Sequence, residues 1–425
     1  MNTLIIIVFV IGYLAIAFED IIKSNKSASA LITGILCWVI YTMQSGNPEM
    51  ANHQLMEHLG GLAGVLFFLL GAMTIVELID SHDGFQVITN RIKTKKLTQL
   101  AWTIGLITFF LSAALDNLTT TIVMLSLMRK ISDERDIRLM FAGIIVIAAN
   151  AGGAWSPLGD VTTTMLWIGG QISATNIMLS LIIPSLVCFV VPLLIISYRW
   201  KGKILKEFTP IIPETTTSVR EQKLVFCLGI GALVFVPIFK MVTHLPPFMG
   251  MLFALGVLWT ATEWIHRGKG SEDRDFLSVV YALRKIDTPS ILFFLGILLA
   301  ITALESVGVL KQAALYLNAS LGNESAIAIF IGLLSALVDN VPLVAAAQGM
   351  YPLAEYPQDH YLWEFFAYTT GTGGSILIIG SAAGVAAMGI EKIGFIWYLK
   401  RISLLALVGF LAGAFVFIGL SNWLN

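Results

Sequence analysis

Residues 111–117 read LSAALDN and residues 334–340 read LSALVDN, the same heptapeptide at five of seven positions. Both lie in apolar surroundings, so each carries an Asp-Asn pair to a depth where a charged side chain costs about 2.5 to 3.5 kcal/mol on insertion scales. Working outward, further matches keep the same order. Leu66-Phe67-Phe68 precedes the first copy and Leu292-Phe293-Phe294 the second, in spans that end near Glu77 and Glu305. Beyond the copies, Gly152-Gly153 and Gly159 stand opposite Gly373-Gly374 and Gly380 at one common offset. Chance similarity between apolar helices would scatter Leu and Ala matches without repeating Asp-Asn in register. The chain therefore reads as two related halves.

Composition sets the medium in which they fold. Of 425 residues, 57% are hydrophobic and 12% charged, and the mean hydropathy is +0.83. That describes an all-α polytopic membrane protein whose partner is the lipid bilayer. With 26 Lys and Arg against 27 Asp and Glu, no basic face is available for nucleic acid. Cys37, Cys188 and Cys227 are scattered, and the six histidines fall in or near predicted loops with no pair at helical spacing. Neither set has metal-ligand spacing, so no cofactor is expected. Met1 to Phe18 is an apolar run with no basic leader, followed by Glu19-Asp20, and reads as a retained first span.

A span needs about 20 apolar residues. Candidates fall at 1–18, 28–43, 59–79, 139–169, 177–197, 224–243, 248–265, 288–305, 362–390 and 402–422, leaving two apolar stretches, 98–128 and 325–349. Cytoplasmic loops collect Lys and Arg. All but Lys240 and Lys311 of the basic residues fall into six clusters, two of which, Arg91 to Lys96 and Arg129 to Arg138, flank 98–128. Both ends of that stretch are then cytoplasmic, so it enters and returns. The stretch 325–349 is flanked by a segment with only Lys311 and by an acidic loop, 351–360, so it dips in from outside. Each half becomes three spans, a re-entrant hairpin and two spans, in inverted topology. The expected divisions are 1–199 for the first repeat, 200–223 for a cytoplasmic linker and 224–425 for the second repeat.

Three constellations carry polar chemistry at membrane depth. Asp116-Asn117 with Thr119-Thr120-Thr121 stands near the turn of the first hairpin, where either residue could also cap the returning half-helix. Next, NAGGAWSPLGD at 150–160, followed by Thr162-Thr163-Thr164, is too rich in Gly and Pro to continue a helix. The span there should unwind and free carbonyls for a cation. Finally, Asp339-Asn340 occupies the second hairpin, and Ser375 the second broken span. Ser381 aligns with Asp160, so the first half holds two acidic residues and the second only one. Burial, and a second carboxylate nearby, disfavour the charged form of such a group. Asp116 and Asp160 can therefore trade a proton for Na⁺ or Li⁺, which suffices for exchange. Glu77, Glu305 and Asp287, near span ends, are secondary candidates.

The segments LSAALDNLTTT, NAGGAWSPLGDVTTT and SALVDNVP resemble the NhaD-type sodium/proton antiporters of the ion transporter superfamily, along essentially the whole chain. The resemblance implies exchange of Na⁺ or Li⁺ for H⁺ in the bacterial cytoplasmic membrane by a homodimer. It points to Ser112, Asp116, Asn117, Asn150, Asp160, Thr162, Thr163, Asp339, Asn340 and Ser375 as the functional polar positions, with Asp287 less firmly matched. The rival reading is an anion transporter of the same superfamily, for arsenite or a di- or tricarboxylate. It would need basic or neutral hairpin tips, and here Asp precedes Asn in both. An enzyme is not expected: an intramembrane aspartyl protease would need Gly-x-Gly-Asp, and Pro157 takes the first glycine position before Leu158-Gly159-Asp160.

Overall fold

The computed structural model describes residues 2–17, 19–89, 94–205, 217–268 and 275–424. Much of the expected linker, including 206–216, lies outside the described residues. Among the described residues, nine helices are long and apolar enough to cross a membrane, or ten if the sharply bent pair Val309–Leu321 and Glu324–Leu334 counts as one. Expected spans are present as Lys26–Gln44, Pro48–Ser81, Ala174–Arg199, Val219–Thr243, Pro247–Ile265, Thr288–Ser306 and Leu404–Leu424, with two more that are each broken in the middle; the expected first span is the shorter apolar helix Asn2–Ala17. The first broken span is Arg135–Ala154 followed by Val161–Ile168, the second Tyr361–Gly373 followed by Ala382–Glu391. The two remaining stretches are helical hairpins: Leu97–Ala114 returning as Asn117–Ile131, and Glu324–Leu334 returning as Asn340–Met350.

Contacts at the helix ends fix the direction of each hairpin. The first starts beside the end of Ala174–Arg199, where Leu97 N donates to Lys203 O at 3.1 Å and Leu205 N to Lys95 O at 2.8 Å. It finishes beside the start of the first broken span, and there Phe141 meets Trp200 with ring centroids 5.2 Å apart. Glu391, the last residue of the second broken span, pairs on this same basic face with Arg129 at 2.7 Å and Arg138 at 3.1 Å. At the opposite face, Asp359 N donates to Gln171 O at 2.8 Å and Ser173 N to Asp359 Oδ1 at 2.6 Å. The second hairpin starts there, with Ser325 Oγ 2.7 Å from the Tyr361 hydroxyl. The two hairpins thus enter from opposite faces, and the fold is an inverted repeat. At 18 residues, about 27 Å, Leu97–Ala114 is long enough to cross alone. The stop at Leu115-Asp116 and the return toward Arg135 make it a hairpin arm instead. Single cysteines at Lys95 and at Arg135 are accordingly expected to react with an impermeant thiol reagent from the same side; labelling from opposite sides would refute the hairpin.

The breaks follow from local chemistry. Pro157 and the glycines around it end the first helix at Ala154, and the threonine run takes the freed carbonyl of Pro157 and adds a second bond to that of Asp160. Thr164 Oγ1 donates to Pro157 O at 2.8 Å and Thr163 Oγ1 to Asp160 O at 2.9 Å. Backbone without ladder partners is thereby satisfied inside the protein, as a low-dielectric environment demands.

Around this core the halves exchange spans. Lys26–Gln44 packs on Thr288–Ser306, and Pro48–Ser81 on Pro247–Ile265. The latter two helices end at His82 and His266, whose Nε2 atoms lie 2.8 Å apart, both rings buried. Expected only as loop residues, these two histidines meet across 184 positions of sequence.

Candidate functional site

Four half-helices begin at the centre of the molecule, and each is capped by a side chain. Asp116 caps Asn117–Ile131, accepting Thr119 N on Oδ1 and Thr119 Oγ1 on Oδ2, each at 2.7 Å. Asp160 caps Val161–Ile168, accepting Thr162 N and Thr162 Oγ1 on Oδ1, each at 2.9 Å. Asp339 caps Asn340–Met350 through Val341 N at 3.3 Å. Ser381 caps Ala382–Glu391 through Gly384 N at 3.2 Å. Helix N-termini carry partial positive charge, so carboxylates are held here at reduced cost.

Two of these caps, Asp160 and Ser381, are tied into one network, which Asn117 and Asn340 join from beside the other two. Asn117 Nδ2 donates to Asp160 Oδ2 at 2.7 Å and to Asn150 Oδ1 at 3.0 Å. From the other hairpin, Asn340 Nδ2 donates to Asp160 Oδ2 at 3.2 Å. Asn150 Nδ2 in turn donates to Ser381 Oγ at 2.9 Å. Asp160, only 2% exposed, is therefore gripped from both hairpin tips, and its Oδ2 accepts from both halves of the chain. Asp116 and Asp339 are less enclosed. A cavity of about 70 Å³ touches all three carboxylates with Asn117 and Asn340, and Lys26, Ser290 and Phe293 also line it. Three carboxylates on one small cavity supply oxygen atoms of the kind a hard cation takes.

Other sequence candidates take different places. Ser112 Oγ donates to Ala149 O at 2.7 Å, fixing the first hairpin to the first broken span. Ser375 Oγ donates to Thr372 O at 2.6 Å within the second break. Glu305 lines a separate cavity of about 280 Å³ with Glu57, His58 and Gln348. Glu77 is not among the residues lining the central cavity, and Asp287 is exposed, capping Thr288–Ser306 through Ser290 N at 3.2 Å. Ser335 escaped the sequence reading. Its Oγ donates to Thr370 O at 2.8 Å, the counterpart of the Ser112 contact. The signal was present, since Ser335 occupies in LSALVDN the place of Ser112 in LSAALDN.

Residues 5–371 match the family described as CitMHS: Citrate transporter. The chain is 47% identical over 416 residues to Sodium/proton antiporter 1 of Arabidopsis thaliana, covering 98% of this chain and 72% of the relative. To Sodium/proton antiporter 2 of the same plant it is 45% identical over 419 residues, covering 98% and 99%. It is 30% identical over 425 residues to the Na(+)/H(+) antiporter NhaD of Vibrio cholerae, covering 93% and 87%. Among solved structures it is similar to the YdaH transporter of Alcanivorax borkumensis, with a TM-score of 0.56 at 12% identity over 89% of this chain and 90% of that one. At that identity the likeness speaks for the fold alone.

Proposed function

The chain belongs to the CitMHS family and, within it, to the NhaD-type sodium/proton antiporters, and on that premise we propose that it exchanges Na⁺ or Li⁺ for H⁺ by competition at buried carboxylates. The observation that carries the reading is Asp160, buried, capping a half-helix and held by Asn117 from one hairpin and Asn340 from the other. A carboxylate in that setting needs a positive partner, and a proton or a small cation supplies one. Asp116, Asn117, Asn150, Asp160, Thr162, Thr163 and Ser112 form the proposed cation and proton site. Asp339, Asn340 and Ser375 support it, and Asp287, Glu77 and Glu305 serve the approaches. In this proposal no resident cofactor takes part; Na⁺ or Li⁺ is cargo.

The family description names citrate, so an anion is the second reading. Lys26 is the one basic residue among the described residues lining the central cavity, against Asp116, Asp160 and Asp339. A tricarboxylate would meet three carboxylates there, whereas a cation would meet ligands. The two repeats, 1–199 and 224–425 joined by 200–223, would present the site alternately to the two sides. We place the protein, as a homodimer, in a bacterial cytoplasmic membrane with its basic face inside; its NhaD relative is bacterial and its two plant relatives are more similar.

Everted vesicles holding the protein are expected to dissipate a preformed ΔpH when NaCl or LiCl is added. Silence toward both cations between about pH 7 and 9, with uptake of citrate or arsenite instead, would transfer the protein to the anion reading.

A further inference from the structure

Lys240 is an anomaly at the sequence level. It is one of two basic residues outside the six cationic clusters, and it stands in an apolar span, Val219–Thr243, where a charge is costly. A lysine near a span end ordinarily runs outward to the interface. Here it turns inward: Nζ donates to Trp167 O at 2.9 Å and lies 4.7 Å from the centre of the Trp167 ring, a side chain only 1% exposed. Trp167 is the penultimate residue of Val161–Ile168, the half-helix that Asp160 caps. One eight-residue helix, about 12 Å long, thus has the buried carboxylate at its positive end and an ammonium at its negative end.

The joints of that helix make the contact matter. It is preceded by the Gly-Pro break and followed by Gly169 and Gly170, the latter at φ +82°, so the chain itself fixes its position weakly. Polar ties from outside act with the packing of its buried residues, Thr162 to Trp167, to set where it stands along its axis. One is Gln348 Nε2, donating to Met165 O at 3.2 Å from the second hairpin, and another is Lys240. A slide of one residue, about 1.5 Å, would displace Asp160 against Asn117 and Asn340 and strain both hydrogen bonds.

The corresponding half-helix of the second repeat shows the difference. Ala382–Glu391 is also pinned at its carbonyl end by cations, Arg129 and Arg138 on Glu391 and the Arg129 guanidinium on Ile390 O. Those arginines come from the first hairpin and first broken span, so that clamp lies within the hairpin core. Lys240 comes instead from a span packed chiefly on Pro48–Ser81 and Pro247–Ile265. Its tie therefore runs from the surrounding frame into the core, at the helix that bears the site.

We propose that Lys240 is a positioning residue for the cation site, holding the carbonyl end of Val161–Ile168 against the frame and so registering Asp160 between Asn117 and Asn340. The affinity part of this claim rests on the antiporter reading; the mechanical part does not, and the experiment has an arm for each. The full-length protein in lipid nanodiscs is compared as wild type, Lys240→Met and Lys240→Arg by hydrogen exchange over residues 161–171. The same variants in everted vesicles give the Na⁺ concentration for half-maximal ΔpH dissipation. Lys240→Met is expected to speed exchange in this segment about tenfold and raise half-saturating Na⁺ about fivefold, with Lys240→Arg within about twofold of wild type in both. Unchanged exchange in Lys240→Met overturns the proposal. So does a fall in maximal rate at unaltered half-saturation, the mark of a merely structural role. Should the wild type itself ignore Na⁺ and Li⁺, the antiporter reading falls, and the exchange arm still decides whether Lys240 holds the helix.

Discussion

Asp160→Asn is expected to reduce Na⁺- and Li⁺-driven ΔpH dissipation to the level of vesicles without the protein. Both oxygens of Asp160 act as acceptors: Oδ1 for Thr162 N and Thr162 Oγ1, Oδ2 for Asn117 and Asn340. An amide keeps one acceptor and turns the other into a donor, so at least one pair of donors is left facing a donor in a buried site. Each stranded donor costs about 1–3 kcal/mol, and the negative charge that holds cargo is gone. Lost transport by this variant could therefore follow from lost charge or from a disturbed site. Asp116→Asn separates the two. The Asp116 side chain bonds to Thr119 and to the Leu118 backbone, all within the helix start it caps, and Asn caps a helix about as well as Asp. This variant should keep wild-type thermal stability while losing most Na⁺-dependent activity. Retained activity in Asp116→Asn would show that this residue is a cap and nothing more.

The distinction matters because capping and cation binding are compatible roles for one carboxylate, and the structure shows all three central aspartates acting as caps. Much of the architecture was legible because the physics that fixes it is local or additive. Lys and Arg counts gave both hairpins their direction, and Gly152, Gly153, Pro157 and Gly159 located the first break. What pattern could not supply was the meeting of distant side chains. Nothing in residues 111–117 says that Asn117 and Asn340, 223 positions apart by number, donate to the same carboxylate oxygen. The His82–His266 contact and the Lys240–Trp167 tie were hidden for the same reason. Lys240 did leave a trace as a basic residue on the wrong side of the charge pattern, a cost that only a tertiary contact explains.

Gly152→Ala is the second variant expected to have a large effect, and its counterpart Gly373→Ala reveals how the halves differ. A methyl group at Gly152 would stand 2.1 Å from Phe109 O and 2.8 Å from Phe109 C; at Gly373 it would stand 2.0 Å from Gly332 O. In both repeats a hairpin arm therefore lies directly on the backbone of a broken span, and no rotamer change can relieve the clash. The arm must retreat by about 1 Å, a strain of about 1–3 kcal/mol, and thermal unfolding of both variants should shift down by a few degrees. Gly231→Ala and Gly256→Ala, where nothing lies within 4 Å, should stay at wild-type stability or rise slightly, because Ala favours helix. Transport should distinguish the pair. Retreat of the first arm draws Asn117 away from Asp160 and Asn150, within the proposed cation site, so Gly152→Ala should raise half-saturating Na⁺ at least about tenfold. Retreat of the second arm strains the Ser335 contact to Thr370 O and draws Asn340 from Asp160 Oδ2, the longer of its two amide contacts at 3.2 Å, but leaves the 2.7 Å bond from Asn117 and the Thr162 cap in place. Gly373→Ala should therefore lose comparable stability with a much smaller change in half-saturation. Equal changes in half-saturation would mean that both halves bind cargo, and the placement of the site in the first repeat would fail.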